Sequence, residues 1–85
     1  MSGGAAGFGL LARLIAAATD TAAAAVRRGA RLHEDLGMDS LEMAALLVDI
    51  ESHFGVVITS DVLETVHTVD DLHAAILRAG HEVRA

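Results

Sequence analysis

The chain has 85 residues and no Cys, Trp or Tyr, which suits one compact domain and excludes a disulfide framework, a cysteine-ligated zinc site and an aromatic base-stacking surface. Seventeen of its 45 apolar residues are Ala, a strong helix former of little volume, so composition points to a small helical domain with a thin core. Six Arg, no Lys and twelve acids give a net charge of −6, which argues against nucleic acid and an anionic membrane surface as partners.

Residues 1–6 are small and read as a disordered tail. No Lys or Arg precedes the first apolar stretch, and Arg13 interrupts it, so no targeting segment is expected and a cytoplasmic protein is. From Gly7 to about Thr19, Phe8, Leu11, Leu14, Ile15 and Ala18 recur at helical spacing and predict a first amphipathic helix. A long loop follows from Asp20 to Met38. Its four-alanine run and the Arg27-Arg28 pair could be helical, but Gly29 and Gly37 punctuate it. Val26, Leu32 and Leu36 are its expected anchors to the core.

Asp39-Ser40-Leu41-Glu42 is a capping-box pattern that opens a second helix, and Gly55 just after Phe54 stops it. Val56-Val57-Ile58 reads as an extended connector. Ser60 is expected to cap a short helix over about 61–65. Thr68-Val69-Asp70-Asp71 opens a last helix carrying Val69, Leu72, Ala75, Ile76 and Ala79 inward, with Gly80 ending it and 81–85 as a tail. The expected fold is therefore all-α: one domain over 7–80, a bundle of three main helices and one short one with a long first loop.

The second helix carries two apolar strips. At about 100° per residue, Met43, Leu46, Leu47, Ile50 and Phe54 cluster on one side and form the core face. Leu41, Ala44, Ala45 and Val48 gather with Ser52 on the other, flanked by Glu42 and Asp49 on one edge and Glu51 on the opposite edge. A helix packed on one side normally shows solvent a polar face. An apolar strip rimmed by acids suits docking, with contact in the middle and charge around it; another helix of the same domain covering the strip is the alternative. From Leu32 to Leu77 there are ten acids and no Arg or Lys, a field that draws basic partner surfaces and also serves solubility.

Signals for catalysis are missing. The five His show no helical i,i+4 pair for a metal, and neither a phosphate-binding glycine loop nor a hydrolase nucleophile elbow occurs. The chain reads as a non-catalytic protein. Ser40 remains, at a helix start where unpaired N–H groups and the helix dipole favour an anion. A serine in that place is also, in many helices, nothing more than a cap.

The stretch from Leu32 to Leu41, Leu-His-Glu-Asp-Leu-Gly-Met-Asp-Ser-Leu, resembles the phosphopantetheine attachment region of acyl carrier proteins. So, in the same register, do Glu51-Ser-His-Phe-Gly-Val-Val-Ile58 and Val66-His-Thr-Val-Asp-Asp-Leu72. The resemblance spans 32–76, and the helix over 7–19 fits the family's first helix. It implies a four-helix bundle in which Ser40 receives phosphopantetheine from coenzyme A through a phosphopantetheinyl transferase, with Mg²⁺ present only during loading. The arm's thiol then carries acyl groups as thioesters, which suits a chain without Cys. By the same resemblance Asp39 lies beside the metal and phosphate during loading. The helix from Leu41 is the recognition helix, with Leu41, Glu42, Ala45, Val48, Asp49 and Glu51 meeting basic patches of acyl-loading, condensing or tailoring enzymes.

Ala44, Ala45, Ser52 and His53 stand where fatty-acid carriers tend to have bulkier or acidic residues, and Thr59 where many relatives have Pro. The sparser rim tilts the reading towards a stand-alone, monomeric carrier of polyketide or other specialised biosynthesis, nonribosomal assembly included. The alternatives are an unmodified carrier-fold adaptor docked on a biosynthetic enzyme, and a carrier of fatty-acid synthesis or of aminoacyl groups.

Overall fold

The computed structural model describes residues 3–84, with side chains over 7–80. It contains helices α1 (Gly3–Thr19), α2 (Ser40–Phe54), α3 (Ser60–Leu63) and α4 (Val69–Arg84), with one 3₁₀ turn at Ala23–Ala25. The described residues thus form the all-α arrangement of three main helices and a short one. Of the tails expected at 1–6 and 81–85, residues 1, 2 and 85 lie outside the described residues, and helical backbone reaches Gly3 and Arg84.

Helix α1 buries Leu11, Ala12, Ile15 and Ala16, with Phe8, Leu14 and Ala18 packed at its edges. It ends where Thr21 N–H reaches back to the Ala16 carbonyl at 2.9 Å, around Asp20 at φ 55°. That is a Schellman closure with an aspartate in the left-handed position usually held by glycine.

The alanine run that could have been helical makes only the single 3₁₀ turn, and Arg27-Arg28 lies in a turn. The part of the loop after the alanine run is held by the start of α4. Carbonyls of the long loop are taken there, Ala30 accepting from Val69 N–H at 3.0 Å and Arg28 from Asp70 N–H at 2.8 Å. A loop continued as helix would spend those carbonyls internally and leave the first turn of α4 unpaired. Leu32 N–H adds a bond to His67 O at 2.9 Å, and Val26, Leu32 and Met38 fill the core beneath.

Three boundaries differ from the sequence reading. Thr59, not Ser60, caps α3, its hydroxyl accepting from Val62 N–H at 3.3 Å, and the helix is the shorter span to Leu63. Helix α4 runs through Gly80, because a glycine stop needs a left-handed backbone and, of the described glycines, only Gly37 and Gly55 have it, each at φ 68°. Gly80 lies against Val56 instead. Helix α1 begins four residues before Gly7. The connector after α2 is extended as expected, with Val56 and Ile58 buried and Val57 outside.

Leu11, Ile15, Leu32, Met38, Leu46, Ile50, Val69 and Leu72 are the fully buried centre. His73 joins this core although nothing in the spacing marked it. It is 6% exposed, its ring stands edge-on to Phe8 at 5.6 Å, and its Nε2 has no hydrogen-bond partner. Burial, reinforced by Arg28, holds its pKa below the usual 6.5, against the weaker opposite pull of Asp70.

Candidate functional site around Ser40

The start of α2 is built by local chemistry. Asp39 Oδ1 accepts from Glu42 N–H at 2.8 Å and Glu42 Oε1 accepts from Asp39 N–H at 3.1 Å, closing the capping box. The Asp39 carbonyl takes Met43 N–H at 2.9 Å. No backbone carbonyl of the described residues reaches Ser40 or Leu41 N–H. Gly37, in the left-handed region, turns the chain into the helix, and buried Met38 pins the approach.

Ser40 is therefore the first helical residue, exposed, with a hydroxyl that makes no hydrogen bond among the described residues. It opens on a cavity of about 350 Å³ between α2 and α3. Met43, Leu47, Leu63 and Val66 give that cavity apolar walls with Ala44, while His33, Ser40, Ser60 and Glu64 line it with polar groups. An exposed nucleophilic oxygen, a helix N-terminus suited to an anion and an apolar recess beside it fit a phosphate-linked flexible arm. Nothing in the sequence marks His33, Ser60 and Glu64 as members of this site, since no periodicity connects positions brought together only by the fold.

The two strips of α2 separate, with Leu47 and Phe54 of the core face half-buried. Met43, Leu46 and Ile50 are buried, whereas Leu41 is 79% and Val48 65% exposed, with Ala44, Ala45 and Ser52 also at the surface. The bundle leaves this outer strip uncovered. Its acids differ in how free they are. Glu42 is held in the capping box, and the Glu51 carboxylate accepts from Ile58 N–H at 3.1 Å, securing the connector after the helix. The Asp49 side chain makes no hydrogen bond among the described residues, while its carbonyl accepts from His53 Nδ1–H at 2.9 Å.

Among the described residues no group of three His, Asp or Glu could hold a metal ion, and no helix is long and apolar enough to cross a membrane. Elsewhere Arg31 chelates Asp35 through Nε at 3.1 Å and Nη2 at 3.0 Å, lowering the Asp35 carboxyl below its usual 3.8. Asp71 is lowered likewise by the N–H groups of His67 and Thr68. Both pairs stiffen loops around the site and stay outside it.

The chain is also similar to known proteins. Residues 10–76 match the family described as phosphopantetheine attachment site. The chain is 44% identical over 55 residues to the acyl carrier protein MbtL of Mycolicibacterium paratuberculosis, covering 65% of this chain and 62% of that one. It is 45% identical to the acyl carrier protein of Thermotoga maritima over 47 residues, 55% of this chain and 58% of the relative. It is also 45% identical over 51 residues to an acyl carrier protein MbtL from a Mycobacterium species, 60% of this chain and 57% of that one. The matches thus span about three-fifths of these relatives' length. With Ser40 exposed at the head of its second helix, the chain belongs to the phosphopantetheine-attachment family, among the acyl carrier proteins.

Proposed function

We propose that this protein is a non-catalytic, cytoplasmic carrier that holds acyl intermediates on a phosphopantetheine arm joined to Ser40 and presents them to partner enzymes of polyketide or other specialised biosynthesis. The observation that carries this reading is the exposed, unengaged Ser40 hydroxyl at the open start of α2, beside the 350 Å³ recess. During loading Ser40 Oγ forms the bond to phosphorus as the nucleotide part of coenzyme A leaves, and the hydroxyl proton passes to a base of the transferase. The open N–H groups of Ser40 and Leu41 favour the anion so attached. Among the described residues Asp39 Oδ2 makes no hydrogen bond while Oδ1 caps the helix, which supports a role beside Mg²⁺ during that step. Once attached, the arm supplies a thiol for thioester formation, a group this chain lacks.

Leu41, Ala45 and Val48 form the docking strip, with Asp49 as its free acid and Glu42 and Glu51 contributing charge from fixed positions. Two of three rim acids are engaged internally, and Ala44, Ala45, Ser52 and His53 add none. This supports partners that lean on apolar contact more than on charge, in line with specialised biosynthesis. Incubation with coenzyme A, Mg²⁺ and a broad-specificity transferase should raise the intact mass by one phosphopantetheinyl group. Ser40→Ala should abolish the gain and keep native helicity, since Asp39 still caps α2. A wild-type mass that stays constant under those conditions refutes the reading.

A further inference from the structure

We propose that His33 is a positioning residue for the phosphodiester carried by Ser40, gripping it when protonated and releasing it when neutral. The inference rests on Ser40 being the attachment point. His33 and Ser40 line the same cavity from different segments, the long loop and the head of α2. The His33 Nδ1 is hydrogen-bonded to the Met38 carbonyl. A carbonyl can only accept, so Nδ1 bears the proton, and in the neutral ring Nε2 is the nitrogen left with a lone pair. The ring is thus anchored to the segment that leads into α2.

Charge makes this imidazole unusual. No Arg or Lys occurs between Leu32 and Leu77. The cavity also has Glu64 on its α3 side, Asp39 and Glu42 stand at the head of α2, and Glu34 and Asp35 follow His33 in the loop. The nearest arginine in the chain, Arg31, is bound to Asp35. An anion fastened to Ser40 therefore meets acids around it, and among the described residues His33 is the one cavity-lining side chain able to carry positive charge. Protonation at Nε2 leaves the Nδ1–H bond to Met38 intact and creates a second donor. That Nε2–H is free to bond a phosphodiester oxygen, a charge-assisted contact. Gaining the proton needs no change in the ring's anchoring.

The test uses the full chain before and after loading, with completeness checked by intact mass. Imidazole resonances of the five His are followed from pH 5 to 8 in both forms, with His33 identified by its loss in His33→Gln. Loading should raise the His33 midpoint, corresponding to at least about a twofold gain in proton affinity, while His53 and His67 stay put. The phosphorus resonance of the arm should titrate with the same midpoint and become flat in His33→Gln, because a phosphodiester has no titration of its own in this range. An unchanged His33 midpoint in fully loaded protein, or a phosphorus signal that titrates equally in the variant, overturns the proposal. Should His33→Gln fold poorly, the wild-type midpoints, assigned by through-bond correlation, decide alone. Absence of the mass gain overturns the Ser40 reading and this inference with it, and is seen before any titration begins.

Discussion

Helices α2 and α4 begin with nearly the same chemistry and end up in opposite surroundings. Asp39 and Glu42 close a capping box at one; Thr68 and Asp71 close its counterpart at the other, with Asp71 N–H donating to Thr68 Oγ1 at 3.1 Å and Thr68 N–H to Asp71 Oδ2 at 3.1 Å. The first helical residue is Ser40 in α2, exposed beside the recess, and Val69 in α4, fully buried. At α4 the long loop lies over the helix start. It supplies carbonyls to Val69 and Asp70 and sets Arg28 3.2 Å from Asp70, with the guanidinium stacked over Phe8 at 4.1 Å. At α2 no backbone carbonyl of the described residues reaches the corresponding N–H groups. A helix start becomes a place to fasten an anion only where the fold leaves it open.

That contrast can be broken in several ways. The largest effect expected is from Ile50→Ala, which leaves a hole in the closed centre and should cost about 2–5 kcal/mol in chemical denaturation. Val48→Glu, on the exposed strip of the same helix, should leave the unfolding midpoint nearly unchanged and weaken enzyme docking in a binding assay. Equal midpoints for the two variants would show that the faces of α2 are misassigned. Next is Val69→Ser, which gives α4 the hydroxyl that α2 carries. It should destabilise by about 2–4 kcal/mol through lost packing and a buried polar group. Combined with Ser40→Ala it should gain no arm by mass spectrometry, since a hydroxyl under the loop cannot be reached. Thr68→Ala and Asp39→Ala should each cost about 1 kcal/mol, so similar losses at both ends would show that capping strength does not distinguish them.

The smallest effect concerns pH. His73 is held neutral by burial beside Phe8 and Arg28, so its folded pKa lies below 6.5. The unfolded chain then binds more protons, and the stability this group contributes is complete above about 6.5 and declines as pH falls from there towards the folded value. Asp35 and Asp71, lowered from 3.8 by their donors, contribute stability that persists above that value and is lost on further acidification. Thermal melts should therefore weaken in two separate ranges, and His73→Leu should remove the upper one only. A variant that keeps the decline just below pH 6.5 would assign it to another histidine.

Features that depend on neighbours along the chain could be read before any coordinates. The Asp39–Glu42 box, the Gly55 stop and the division of α2 into a Leu46/Ile50 side and a Leu41/Val48 side involve residues at most a few turns apart, where the helix repeat dictates what meets what. The same short range made Ser60 a plausible cap, yet Thr59 one residue earlier serves, because a one-residue shift costs a hydroxyl cap nothing. Gly80 misled for a related reason: glycine permits a stop but does not force one, and here the helix continues past Val56.

What the residues alone decided, then, is that four helices form, where α2 begins, and that Ser40 heads it. The folded chain decided the rest. Whether the loop around Arg28 and Ala30 stays open depends on which backbone donors take its carbonyls, and those donors belong to α4, some forty residues further along. Whether His73 is a core residue depends on Phe8 closing over it. Whether Ser40 faces solvent, an apolar recess and an imidazole together depends on three segments meeting at one point. Periodicity ranks the sides of a single helix; it carries no information about what another segment brings to them.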